Sequence, residues 1–106
     1  MKLIFAIVNN DDASAVSGAL TKSGYSVTKL ATTGGFLKVG NTTFLIGIDD
    51  EKVDAVINII AKYSSKRSQN LPDTSAYGGE YTTMPIEVTV GGATIFVTDV
   101  ERFEKL

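Results

Sequence analysis

The hydrophobic pattern divides the chain into short blocks of two kinds. Leu3, Phe5 and Ile7 alternate with Ile4, Ala6 and Val8, so the run from Lys2 to Asn9 is apolar on both faces and predicts a central strand covered on both sides. Asn10, Asp11 and Asp12 then offer caps for a helix to about Ser23, with a buried stripe of Ala13, Val16, Ala19 and Leu20 and a stop at Gly24. Tyr25 to Ala31 and Thr42 to Ile48 predict the second and third strands, separated by a glycine-rich loop at residues 32–41. Asp49 and Asp50 cap a second helix whose stripe, Val53, Val56, Ile57, Ile60 and Ala61, has the i, i+3, i+4, i+7, i+8 spacing of an amphipathic helix.

Residues 64–84 are polar and aperiodic, which predicts a long flexible loop; loops of that length in compact domains are usually functional or disordered. Ile86–Val90 and Ala93–Val97 predict two strands around Gly91-Gly92, a pair suited to a two-residue hairpin turn, with a last helical turn starting at Asp99. The order β-α-β-β-α-β-β matches split β-α-β units and predicts an α+β, ferredoxin-like sandwich with an antiparallel-containing sheet and both helices on one face. That layout leaves the opposite face uncovered. Because the strands are apolar on both sides, the uncovered face predicts an association site and a homo-oligomer.

Composition narrows the chemistry. The chain has 106 residues, enough for one domain with one core, and a formal net charge of −2. Lys66-Arg67 is its only adjacent basic pair, which argues against a nucleic acid polymer as partner. With neither cysteine nor histidine it lacks thiolate chemistry, the commonest general base and the commonest zinc ligand. The opening apolar run is short and ends at Asn9-Asn10-Asp11-Asp12 without a cleavage site, and nothing reaches transmembrane length. The expectation is a cytoplasmic protein without membrane insertion, in which the Asn41-Thr42-Thr43 glycosylation sequon is coincidental.

The glycine loop holds the candidate chemistry. Gly35 to Thr42 is one residue short of a P-loop, with Asn41 at the lysine position and a strand after it instead of a helix, so an ATPase is rejected. Its glycines can still bring bare backbone N–H groups to an anion. Phe36 and Leu37 are an apolar pair that calls for cover by a ligand, a neighbouring subunit or the chain's own long loop. The plainer reading is a hairpin with glycines for turning only. The acids at Asp11-Asp12 and Asp49-Asp50-Glu51 fall at helix starts, where they offset the macrodipole, and capping is preferred to metal binding.

Three runs are distinctive together: Thr28 to Leu37 (TKLATTGGFL), Gly40 to Phe44 (GNTTF) and Val90 to Val97 (VGGATIFV). In these the whole chain resembles the PII-like signal-transduction proteins, specifically their cyclic-di-AMP receptor branch. The resemblance implies a non-enzymatic receptor: a homotrimer of ferredoxin-like subunits that binds one cyclic-di-AMP in each cleft between neighbours and modulates an unknown downstream protein. It also implies that Thr28, Phe36, Leu37, Asn41 and Gly47 line an adenine pocket, while backbone at Gly35 and around Gly91-Gly92 approaches phosphate or ribose. Ser26 is also placed at the base, where relatives usually carry an arginine, and the tail Arg102–Leu106 lacks the usual glutamine. Both departures bear on affinity and on nucleotide choice. The alternatives are a sensor of another adenine nucleotide, a small acyl-phosphate hydrolase that would want an arginine in the first strand-to-helix loop, and a trimeric metal-binding or structural module. No cofactor and no metal ligand set is expected.

Overall fold

A computed structural model describes residues 1–30, 40–65, 67–72 and 85–106, the strands at 67–72 and 85–90 by their backbone only. β1 (Lys2–Asn9) runs into α1 (Asn10–Lys22); β2 (Thr28–Leu30) and β3 (Asn41–Ile48) follow; a 3-10 turn (Asp50–Lys52) leads into α2 (Val53–Tyr63); then come β4 (Arg67–Pro72), β5 (Pro85–Val90) and β6 (Ala93–Asp99). The main sheet has the order β2-β3-β1-β6, all neighbours antiparallel. β1 and β2 are thus separated by β3, and β3 and β6 by β1. This is the interleaved pair of split β-α-β units of a ferredoxin-like fold.

The core lies between this sheet and the helices. Ile4, Ala6 and Val8 of β1, with Phe44, Ile46 and Ile48 of β3, are buried against Val16 and Leu20 of α1 and Val56 and Ile60 of α2. Burying each such aliphatic side chain contributes about 1.5–3 kcal/mol. Ala13, Val53 and Ile59 pack against the cluster in part. Ala61, assigned to the α2 stripe by its spacing, is exposed, and Ile59 takes the inward position beside Ile60.

Helix ends depart from the expected caps. The side chain of Asn9, not of Asn10, Asp11 or Asp12, caps α1 by accepting from the Asp11 N–H at 2.8 Å. α1 stops as the sequence suggested: Gly24 has φ +93°, its N–H donates to the Thr21 carbonyl, and the Tyr25 N–H donates to the Leu20 carbonyl. That is a Schellman end, in which glycine carries the left-handed residue. Asp49 precedes the 3-10 turn without a side-chain cap bond, and Asp50 pairs with the N-terminal amine at 3.0 Å. This contact holds the Asp50 carboxyl below the usual carboxylate range, chiefly through a hydrogen bond to the amine.

Three expectations at the C-terminal half need correction. Residues 67–72, part of the stretch assigned to a loop, form β4, which pairs antiparallel with β5 in a separate two-stranded sheet. β5 and β6 therefore do not close a hairpin on each other. β6 is taken by β1, from Val8 opposite Ala93 to Lys2 opposite Asp99, and Gly91-Gly92 forms the corner between the two sheets. Both glycines have φ near +85° (86° and 84°), and the Gly92 N–H donates to the Ser64 carbonyl at the end of α2. No helical turn starts at Asp99: pairing with β1 keeps β6 extended through that residue, and the Val100 N–H donates to the Met1 carbonyl at 3.2 Å. Residues 31–39, 66 and 73–84, which hold most of both assigned loops, lie outside the described residues.

Candidate nucleotide site

Strand register decides which side chains share the uncovered face. Ile4 opposes Ile46 and Val97 on the helix side, so Phe5 faces the other way, between Leu45 of β3 and Phe96 of β6. Thr28 lies next to Leu45, Leu30 next to Thr43, and Gly47 next to Leu3. The face is thus a row of Thr28, Leu45, Phe5 and Phe96, flanked by Leu3, Leu30 and Ile7. Its β1 members are half-buried, against full burial for their neighbours on the helix side, and Phe96 remains 53% exposed.

At one end of this face is a cavity of about 410 Å³, within the range of small-molecule pockets. Ser26, Thr28 and Gly47, three of the residues singled out in the sequence, line it. Leu45 forms part of its wall, and Phe103 reaches it from the C-terminal segment. The lining combines an apolar surface for a flat base with two hydroxyls and exposed backbone at Gly47. Gly47 is not at positive φ and a Cβ built there meets nothing within 4 Å, so its lack of a side chain leaves open space at the cavity rather than relieving strain. A shallower hollow of about 220 Å³ continues past Ser26 and Gly47 to Lys52.

The remaining candidates are elsewhere. Asn41, half-buried, starts β3 opposite Asn9, and the Gly91-Gly92 corner precedes Ala93 opposite Val8, so these three gather at the other end of the sheet. Asn41 and Gly47 are six strand positions apart, about 20 Å at roughly 3.3 Å per residue. Between them on the same face, Thr43 has a buried hydroxyl with no hydrogen-bond partner among the described residues. Gly35, Phe36 and Leu37 lie outside the described residues.

A larger cavity, about 520 Å³, opens on the helix side between α1 and β2 and contains none of the candidates. Its walls include Asn10, Ser14, Ser17 and Lys29. Such a polar groove offers a flat apolar group less contact than the cavity at Thr28 and Leu45. Among the described residues no group of three or more acidic side chains is placed to hold a metal ion, and no helix is long and apolar enough to cross a membrane.

Compared with known protein families, the chain matches the family described as "Cyclic-di-AMP receptor" over residues 1–106. It belongs to the cyclic-di-AMP receptor family. The family is one of binding proteins whose ligand is a cyclic dinucleotide, in accord with an apolar pocket rimmed by hydroxyls. Among solved structures, this receptor-family chain is similar to a functionally unknown protein from Pediococcus pentosaceus ATCC 25745, with 44% identity, coverage of 99% of this chain and 96% of that one, and a TM-score of 0.75.

Sequence reasoning missed Met1, Leu3, Leu45, Val100 and Phe103 in the cavity wall. Leu45 was recoverable, since it shares its face with Thr43 and Gly47 by simple alternation. Val100 and Phe103 carry no local signal, because the chain's return after β6 brings them to the cavity.

Proposed function

We propose that this chain is a non-enzymatic receptor that binds cyclic-di-AMP in clefts between the subunits of a homotrimer. Binding changes the conformation of the two segments assigned to loops, residues 32–41 and 64–84, and thereby alters contact with a downstream protein. The observation that carries the reading is the cavity that Ser26, Thr28 and Gly47 share with Leu45, in a chain of the cyclic-di-AMP receptor family. Thr28 and Ser26 offer hydroxyls to a base edge or ribose, and backbone at Gly47 offers a donor and an acceptor without a side chain in the way. Asn41 and the Gly91-Gly92 corner, at the far end of the same subunit, fit a ligand that bridges two subunits better than one held within a single subunit.

Ligand-linked stability tests this. A ligand that binds only the folded protein stabilises it by about 2.7 kcal/mol at a hundred times its dissociation constant. Cyclic-di-AMP is expected to raise the melting temperature in a concentration-dependent way, and cyclic-di-GMP much less. The same samples, followed by hydrogen exchange over residues 65–81, should show protection that changes with ligand. An unshifted melting curve with saturating cyclic-di-AMP contradicts the reading; a shifted curve with unchanged exchange removes only the loop from it.

A further inference from the structure

We propose that Phe103 is a stacking platform for a base of the bound nucleotide, carried to the pocket by the C-terminal segment. The inference rests on the reading of the cavity at Thr28 and Gly47 as the nucleotide site. Phe103 lines that cavity, and 64% of its surface is exposed, so the ring is available to a ligand seated there. Its surroundings hold it there. The hydrogen bond from the Val100 N–H to the Met1 carbonyl pins the start of the segment against β1, and Met1 and Val100 are themselves part of the cavity wall. On either side of Phe103, Arg102 and Glu104 pair with each other at 3.0 Å, which keeps both charges occupied. The ring therefore stands at an apolar hollow that also contains Leu3 and Leu45, with most of its surface uncovered. Every base has a π-face, so an aromatic ring at this place contributes affinity whichever edge Thr28 and Ser26 read.

The chain has no tryptophan, so Phe103→Trp installs a single reporter. Cyclic-di-AMP is titrated by calorimetry into wild type, Phe103→Ala, Phe103→Leu and Phe103→Trp, with Tyr63→Trp, on α2, as fluorescence control. Phe103→Ala should weaken binding by about 5- to 150-fold. Leucine, which restores apolar contact without a ring, should recover part of that loss. Phe103→Trp should bind nearly as wild type with its emission quenched at saturation, while Tyr63→Trp stays unchanged. If wild type binds and Phe103→Ala binds equally well, or the emission of the Phe103→Trp variant ignores the ligand, the platform is refuted while the site stands. If Phe103→Ala instead dissociates the oligomer, a second copy covers the ring and the proposal is also refuted. Absence of binding by wild type removes both.

Discussion

Phe96 on the uncovered sheet face offers the sharpest handle on assembly. The register sets it directly opposite Phe5, which in turn faces Leu45, so the two rings and the branched side chain form one apolar stripe. Complete burial of a phenylalanine is worth about 1.5–3 kcal/mol. Since 53% of Phe96 remains exposed in the single chain, covering it in an assembly would contribute about half of that, roughly 0.8–1.6 kcal/mol per subunit. Three copies in a trimer make about 2.4–4.8 kcal/mol, or roughly 50- to 3,000-fold in the assembly constant at about 1.4 kcal/mol per tenfold. Phe96→Ala should therefore weaken the assembly constant of the proposed trimer by that factor and shift dissociation to higher protein concentration. The fold itself should survive, because the buried cluster is on the other side of the sheet. Phe96→Glu, which would place a charge in the same interface, should give monomers at every accessible concentration. Sedimentation analysis over a dilution series reads both effects, with circular dichroism as the control for folding. A wild type that sediments as a monomer, or a Phe96→Ala variant whose assembly constant is unchanged, would show that the apolar stripe is not an interface between subunits.

Other expectations separate the site from the scaffold. Gly47→Ala should leave melting nearly unchanged, since a Cβ there meets nothing within 4 Å, but should weaken cyclic-di-AMP binding by about 5- to 150-fold if the methyl overpacks against the ligand at about 1–3 kcal/mol; equal affinity would move the ligand away from β3. Asn41→Ala and Phe36→Ala should each weaken binding by a similar factor, from a base edge left unpaired at about 1–3 kcal/mol or a lost stacking contact, and calorimetry of variants with normal melting decides the matter. The Asp50 carboxyl, held below its ordinary value by the N-terminal amine, adds a stability increment present above an unfolded-state value of about 3.9 and lost as pH falls through the lower folded value. Melting of Asp50→Asn against wild type should accordingly differ near neutral pH and converge in acid; a difference that grows on acidification would reverse the assigned sign.

What the sequence made legible follows from how local each signal is. β1 could be read because every residue from Leu3 to Val8 is apolar, and burial separates its two faces as alternation required. α2 could be read from Val53, Val56 and Ile60, although the spacing alone could not tell Ala61 from Ile59 as the inward residue. β4 was illegible: Arg-Ser-Gln-Asn-Leu-Pro has no strand-like alternation, and its pairing comes from β5, the next strand, which the local pattern does not reveal. Gly91-Gly92 suited a hairpin locally, but the open edge of β1 claimed β6 and turned the glycines into a corner. At the site, Ser26, Thr28 and Gly47 entered as pocket residues through the resemblance to receptor sequences, and simple alternation along β3 could have added Leu45. Phe103 had no signal in the chain and needed the geometry.

The central claim, that the cavity at Thr28 and Gly47 receives cyclic-di-AMP, is tested most directly by calorimetric titration of the wild-type protein with cyclic-di-AMP, cyclic-di-GMP, ATP and AMP side by side. Saturable binding of cyclic-di-AMP at one molecule per subunit, tighter than that of the other three, is the predicted result. No heat with cyclic-di-AMP, or tighter binding of ATP or AMP, would contradict it.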